Sequence, residues 1–209
     1  MSFRRAGATA SFCTNIWRLD MNDTSSPPTP FLNGWRIAGW GSLLSVLLLP
    51  ALAMQLTSEM NWTASDFVFA ALLLGFVGAV AELAARFVRP GAARVGYILA
   101  GLTAFFTFWI NAAVGIIGDE DAVNVYFFLM VVAALFAGLV LRFQPRAMQW
   151  IAALLAIGQY AVGVAALSMM PGHAVEWGLL TIFALLWCAA ASCFHRGAAR
   201  HAAADAGTA

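Results

Sequence analysis

Six stretches of this chain are long and apolar enough to cross a lipid bilayer, and that repetition constrains the fold more than any motif does. They cover residues 37–55, 67–85, 95–117, 125–141, 148–169 and 177–194. A hydrocarbon core of roughly 30 Å takes about 20 residues of helix. Lipid offers nothing to backbone N–H and C=O groups, so each stretch must bond its own backbone as a helix. The runs are continuous rather than alternating, which excludes the strands of a membrane barrel. Composition agrees: 62% of the 209 residues are hydrophobic and 10% charged, against roughly 45–50% and 25% in soluble domains. The expected fold class is all-α, a polytopic membrane helix bundle with six transmembrane helices over 37–195.

The arginines set the expected orientation. All 11 basic residues are arginine. Arg4, Arg5, Arg18 and Arg36 precede the first span; Arg86, Arg89 and Arg94 lie between the second and third; Arg142 and Arg146 lie between the fourth and fifth; Arg196 and Arg200 follow the sixth. They all fall beyond alternate span ends, and the positive-inside rule makes that side the cytoplasm. Both termini are then cytoplasmic, and the arginine-only, alanine-rich usage points to a bacterial inner membrane. The opposite loops carry acids instead. Asp66 precedes the second span, and Asp119, Glu120 and Asp121 precede the fourth, where a carboxylate caps exposed N–H groups and meets the positive end of the helix dipole. Every connection is short, so sequential helices are expected as antiparallel neighbours in three hairpins. Residues 1–36 form a polar, proline-bearing leader expected to be disordered, for which initiation at Met21 is an equal account. Residues 196–209 read as a disordered cytoplasmic tail.

Chemistry must then sit inside the spans or at their rims. Glu82 is the one acid well inside a span, and intramembrane carboxylates mark sites of transport or proton transfer. Arg86 stands four residues later in the favoured acid-before-base order, so a rim ion pair is the leading expectation for it. Thr103, Thr107, Asn111 and Gly115 recur at i, i+4 on the third span, a polar stripe expected to hydrogen-bond across to another helix. Gly75 and Gly78 on the second span suggest close helix packing. Gln159 and Tyr160 are adjacent near mid-membrane, about 100° apart, so one of them is expected to point inward.

Several reaction classes find no support. Cys13, Cys188 and Cys193 lack the spacing of a disulfide framework or zinc site. His173 and Glu176 with the 119–121 acids make a poor metal set, and no histidine lies inside a span to ligate haem. Phosphate-binding, dinucleotide, zincin and nucleophile-elbow motifs do not occur, and the arginines are too dispersed to bind nucleic acid. No cofactor is expected. The Asn61-Trp62-Thr63 sequon reads as chance in a bacterial protein.

Trp109-Ile110-Asn111, then Ala113-Val114-Gly115-Ile116-Ile117-Gly118 with Glu120-Asp121 and Asn124, resemble a recurring segment in a group of small six-span bacterial membrane proteins of uncharacterised function. Asn61-Trp62-Thr63 with Asp66-Phe67, Glu82-Leu83-Ala84-Ala85-Arg86, and Arg142-Phe143 before Pro145 are similar too. The resemblance covers about residues 36–193 and implies the six-span architecture without an activity. Relatives of that group carry a longer turn with a proline before the asparagine, which "DEDAVN" lacks. The function expected is an integral inner-membrane protein, non-enzymatic, serving as an accessory or structural component. The alternative is a small-molecule or ion transporter or channel using Glu82, Asn111 and Gln159. The lipid bilayer is the expected partner, and a protein partner or homo-oligomer stays open.

Overall fold

The computed structural model describes residues 34–117, 121–169 and 175–206. Six α-helices make up the ordered elements of these residues: α1 Gly34–Leu56, α2 Ala64–Phe87, α3 Ala92–Ala113, α4 Asp121–Val140, α5 Pro145–Met169 and α6 Trp177–Ala206. Each has the length and apolarity to cross a membrane, and no strand occurs among the described residues. The chain divides into two compact units, Met1–Gly41 and Ser42–Ala209. Helix α1 begins in one and ends in the other, and none of its residues is buried.

Side chains at the helix ends explain where the elements start and stop. At the start of α2, one carboxylate oxygen of Asp66 accepts the Thr63 backbone N–H at 2.7 Å and the Thr63 hydroxyl at 2.8 Å, half of a capping box. Helix α2 ends before Pro90, which cannot continue it. Its last carbonyls are taken up by Arg94, whose guanidinium donates to Ala85 O at 3.0 Å and to Val88 O at 2.9 Å. Proline at the first position of α5 sits where a missing N–H costs nothing. Between α4 and α5 the chain turns through Arg142 and Phe143, both left-handed at φ 55° and 49°. The Tyr97 hydroxyl donates to Phe143 O and holds that turn from α3.

Packing departs from three simple hairpins. Helix α6 is the centre of the bundle: it packs most extensively on α5 and next on α3, while α3 meets α4 sparsely. Sequential neighbours α2–α3 and α4–α5 do pair. Two apolar clusters stack along the bundle axis. One, toward the arginine-bearing end, joins Ala104, Val131, Leu155, Trp187 and Phe194. The other, at the opposite end, joins Ile117, Val123, Phe127, Val162, Leu180 and Phe183. The outer surface is greasy: Leu72, Phe136, Trp150, Leu154, Ile157 and Leu185 are each more than 60% exposed. Such area would aggregate in water and belongs against lipid.

Two boundaries differ from the sequence expectation. The third span does not run to residue 117. It leaves the helix after Ala113, with Gly115 at φ 72°, the left-handed conformation in which glycine ends helices without a Cβ penalty. The sixth does not give way to a free tail at 196, since α6 continues to Ala206. Alanine-rich sequence has the propensity to propagate a helix after its hydropathy has fallen. Gly197 also lets it lie against the start of α3, where an added Cβ would stand 2.6 Å from that of Ala93. Of the leader, residues 1–33 lie outside the described residues, as do Asp119, Glu120 and His173.

Candidate functional site

The polar stripe of α3 turns inward but bonds to its own helix. Thr103 Oγ1 donates to Leu99 O at 2.8 Å, Thr107 Oγ1 to Thr103 O at 2.9 Å, and Asn111 Nδ2 to Thr107 O at 2.9 Å. Each side chain reaches back one turn, a local alternative to bonding across helices. The cross-helix bond expected of Asn111 does not form. Its Oδ1 is buried without a partner among the described residues.

Gln159 lies between the two clusters, one turn from Ala156 and Val162 on the inner face of α5. It is fully buried, and neither its Oε1 nor its Nε2 has a partner among the described residues. Tyr160 beside it turns outward at 39% exposure and donates to Thr181 Oγ1 at 2.8 Å, so the adjacent pair points one residue in and one out.

Glu82 and Arg86 form an i, i+4 ion pair on α2, with Nε 2.6 Å from Oε1. Their side chains are 21% and 43% exposed, which places the pair at the rim of the bundle. The glycines on the same helix behave differently from each other. Gly78 is buried, whereas a Cβ at Gly75 would meet nothing within 4 Å, so Gly75 mediates no close helix contact.

A buried polar residue that the sequence placed only in a surface turn is Asn124. Its Oδ1 accepts the backbone N–H groups of Ile116 and Ile117, both at 3.0 Å, and its Nδ2 donates to Ile117 O at 3.3 Å. Ile116 and Ile117 are 1% and 0% exposed and Asn124 5%. Ile116 and Ile117 are thus buried outside any helix, and one carboxamide from the first turn of α4 supplies the hydrogen bonds that a helix would have made. Asp121 opens that helix.

A concave groove of about 820 Å³ lies on the arginine-bearing half of the bundle. Helices α2 and α4 form its two walls, with Phe76, Val80, Leu83 and Phe87 on one and Val131, Ala134 and Leu135 on the other. Ala100, Gly101 and Ala104 of α3 and Met148, Ile151 and Leu155 of α5 line it further, and Trp187 of α6 reaches its inner side. Arg89, Arg142 and Gln144 stand at the loop end. The groove exists because α2 and α4 both pair with neighbours rather than extensively with each other. Glu82, Asn111 and Gln159 do not line it. The indole N–H of Trp187 is buried with no acceptor among the described residues.

No protein-family model, curated protein or solved structure matches this chain.

Proposed function

We propose that this integral membrane protein is a non-enzymatic accessory or structural component of a bacterial inner membrane, with its arginine-bearing end and both termini in the cytoplasm. On the residues quoted for the resemblance, we also place it among small six-span bacterial membrane proteins. The observation that carries the reading is the separation of the intramembrane polar residues. Glu82 is paired with Arg86 at the rim, Asn111 bonds within α3, Gln159 is walled in by two apolar clusters, and the groove is lined by none of them. A solute path needs polar groups sharing one water-accessible cavity, and an enzyme needs a nucleophile with a partnered base.

The transporter reading keeps one observation in its favour. Gln159 and Asn111 Oδ1 are buried polar groups without partners among the described residues, the state of a contact awaiting a solute or water. The two readings separate in sealed proteoliposomes loaded with pH- and potential-sensitive dyes. Accessory function predicts proton and ion leak equal to protein-free vesicles. Flux above that level, lost in both Asn111→Leu and Gln159→Leu while the protein stays folded, would establish transport instead. A carboxyl-terminal reporter pair, fluorescent in the cytoplasm or enzymatically active only outside it, tests the orientation.

A further inference from the structure

The groove between α2 and α4 has a length, a lining and a charge that together specify one kind of occupant. Along α5 it runs from Pro145 to Leu155, about 15 Å at 1.5 Å per residue. That is half of the roughly 30 Å hydrocarbon core, the depth of one leaflet. A partner transmembrane helix would need a seam crossing the whole core, and this groove stops at Leu155, Trp187 and Ala104 near the middle. An acyl chain from a single leaflet has the matching length. The walls are aliphatic and aromatic, so water gains no partners there, and an empty groove would forfeit dispersion contacts along its whole lining. Its volume of about 820 Å³ lies within the roughly 300–1,000 Å³ of ligand sites.

Charge enters at the loop end. Arg89 comes from the α2–α3 connection and Arg142 from the α4–α5 turn, and both border the same opening. Neither guanidinium has a carboxylate or hydrogen-bond partner among the described residues. Arg142 is set there by a left-handed backbone conformation that non-glycine residues adopt at a cost, within a turn held by Tyr97. Two cations over the open end of an apolar slot complement a phosphate carrying acyl chains, the arrangement by which basic pockets between helices take lipid headgroups.

We propose that this groove is a binding site for an anionic phospholipid of the surrounding bilayer, with an acyl chain along α2 and α4 and the phosphate between Arg89 and Arg142. The site is independent of the accessory reading: vesicle flux would overturn that reading and leave the lipid site standing, and the reverse also holds. The test is native mass spectrometry of the full chain, purified in detergent, stripped of lipid and then exposed to mixed micelles of phosphatidylglycerol or phosphatidylcholine with identical chains. The expected result is one retained phosphatidylglycerol per chain, favoured over phosphatidylcholine by on the order of tenfold or more, since each arginine near an anionic surface contributes about a fivefold factor. The Arg89→Gln, Arg142→Gln double variant brings retention of phosphatidylglycerol down to the phosphatidylcholine level with an unchanged melting profile. Ala134→Phe fills the slot and abolishes retention of both lipids. A melting curve confirms that this variant is folded, and if it is not, Ala100→Phe replaces it from the α3 wall. Equal retention of the two lipids, indifference to the arginine substitutions, or full retention in the folded slot-filling variant would overturn the proposal. So would a homodimer that the slot-filling substitution converts to monomer, because a second copy would then be the occupant.

Discussion

Replacing Asn124 by alanine removes one carboxamide and strands the backbone of a buried turn. Two N–H groups, those of Ile116 and Ile117, lose their acceptor, and the Ile117 carbonyl loses a donor. All three residues are 5% exposed or less, so water cannot step in. An unsatisfied buried donor costs about 1–3 kcal/mol, which puts the two N–H groups together at about 2–6 kcal/mol. Asn111→Ala is the control. It removes a single bond from Nδ2 to Thr107 O, a carbonyl that the helix backbone already uses, and it also removes the partnerless Oδ1. Its expected cost is below about 1 kcal/mol. Equilibrium unfolding in mixed micelles, followed by far-ultraviolet circular dichroism, measures both. Amide exchange at Ile116 and Ile117 should accelerate in Asn124→Ala and stay unchanged in Asn111→Ala. If Asn124→Ala costs less than about 1 kcal/mol, or the two variants cost the same, the turn is not held by this side chain and the argument fails.

Three further outcomes follow from the same geometry. Gln159→Leu replaces a buried amide with no partners among the described residues by an apolar isostere and should leave the melting temperature unchanged or raise it, a result checked by thermal unfolding in detergent. Gly197→Ala should destabilise by about 1–3 kcal/mol, because its new Cβ would lie 2.6 Å from Ala93 Cβ and 3.1 Å from Ala93 backbone atoms, whereas Gly75→Ala should be neutral or stabilise α2 by up to about 1 kcal/mol; parallel unfolding curves compare them. Asp66→Ala removes the acceptor for the Thr63 N–H and hydroxyl and should speed amide exchange in the first turn of α2 without altering the far end of that helix.

The bundle was legible because spanning a membrane is a property of each segment by itself: twenty apolar residues must become helix whatever their neighbours do. The features that were not legible depend on residues far apart in sequence. Val114, Ile116 and Ile117 are as apolar as the helix before them, so hydropathy extends α3 to 117. What ends it is a glycine that turns the chain and an asparagine in the next helix that receives it. The signal was present as Gly115 and Asn124, but the polar run around residue 120 drew the asparagine into a surface-turn reading. The end of α6 failed in the opposite sense. Arginine and histidine lower hydropathy after Phe194, while the alanines keep helix propensity high, and the first quantity says nothing about the second. The i, i+4 spacing of Thr103, Thr107 and Asn111 correctly gave one face, yet the same spacing brings each side chain within reach of its own carbonyl one turn back. The groove could not be read at all, since it arises from the two helices, α2 and α4, that fail to pair.

These corrections share a physical reason that bears on function. Every place where a helix stops exposes carbonyls or N–H groups that need partners, and inside the bundle no solvent supplies them. Asn124 meets that need after α3, Arg94 at the end of α2, and Asp66 at its start. Most polar side chains in and around the bundle are therefore committed to completing the backbone or to bonding within their own helix, as Thr103, Thr107 and the amide of Asn111 do. Gln159 is fully buried with both amide atoms unpartnered among the described residues, and it is the residue on which the accessory and transport readings diverge most. Packing alone predicts that Gln159→Leu keeps or improves stability and leaves vesicle leak at baseline. A residue kept for solute contact predicts the same gain in stability together with a loss of flux, the stability–function trade expected where a polar group is held ready for a ligand. Stability and flux measured on the same variant therefore decide between them, and neither measurement does so alone.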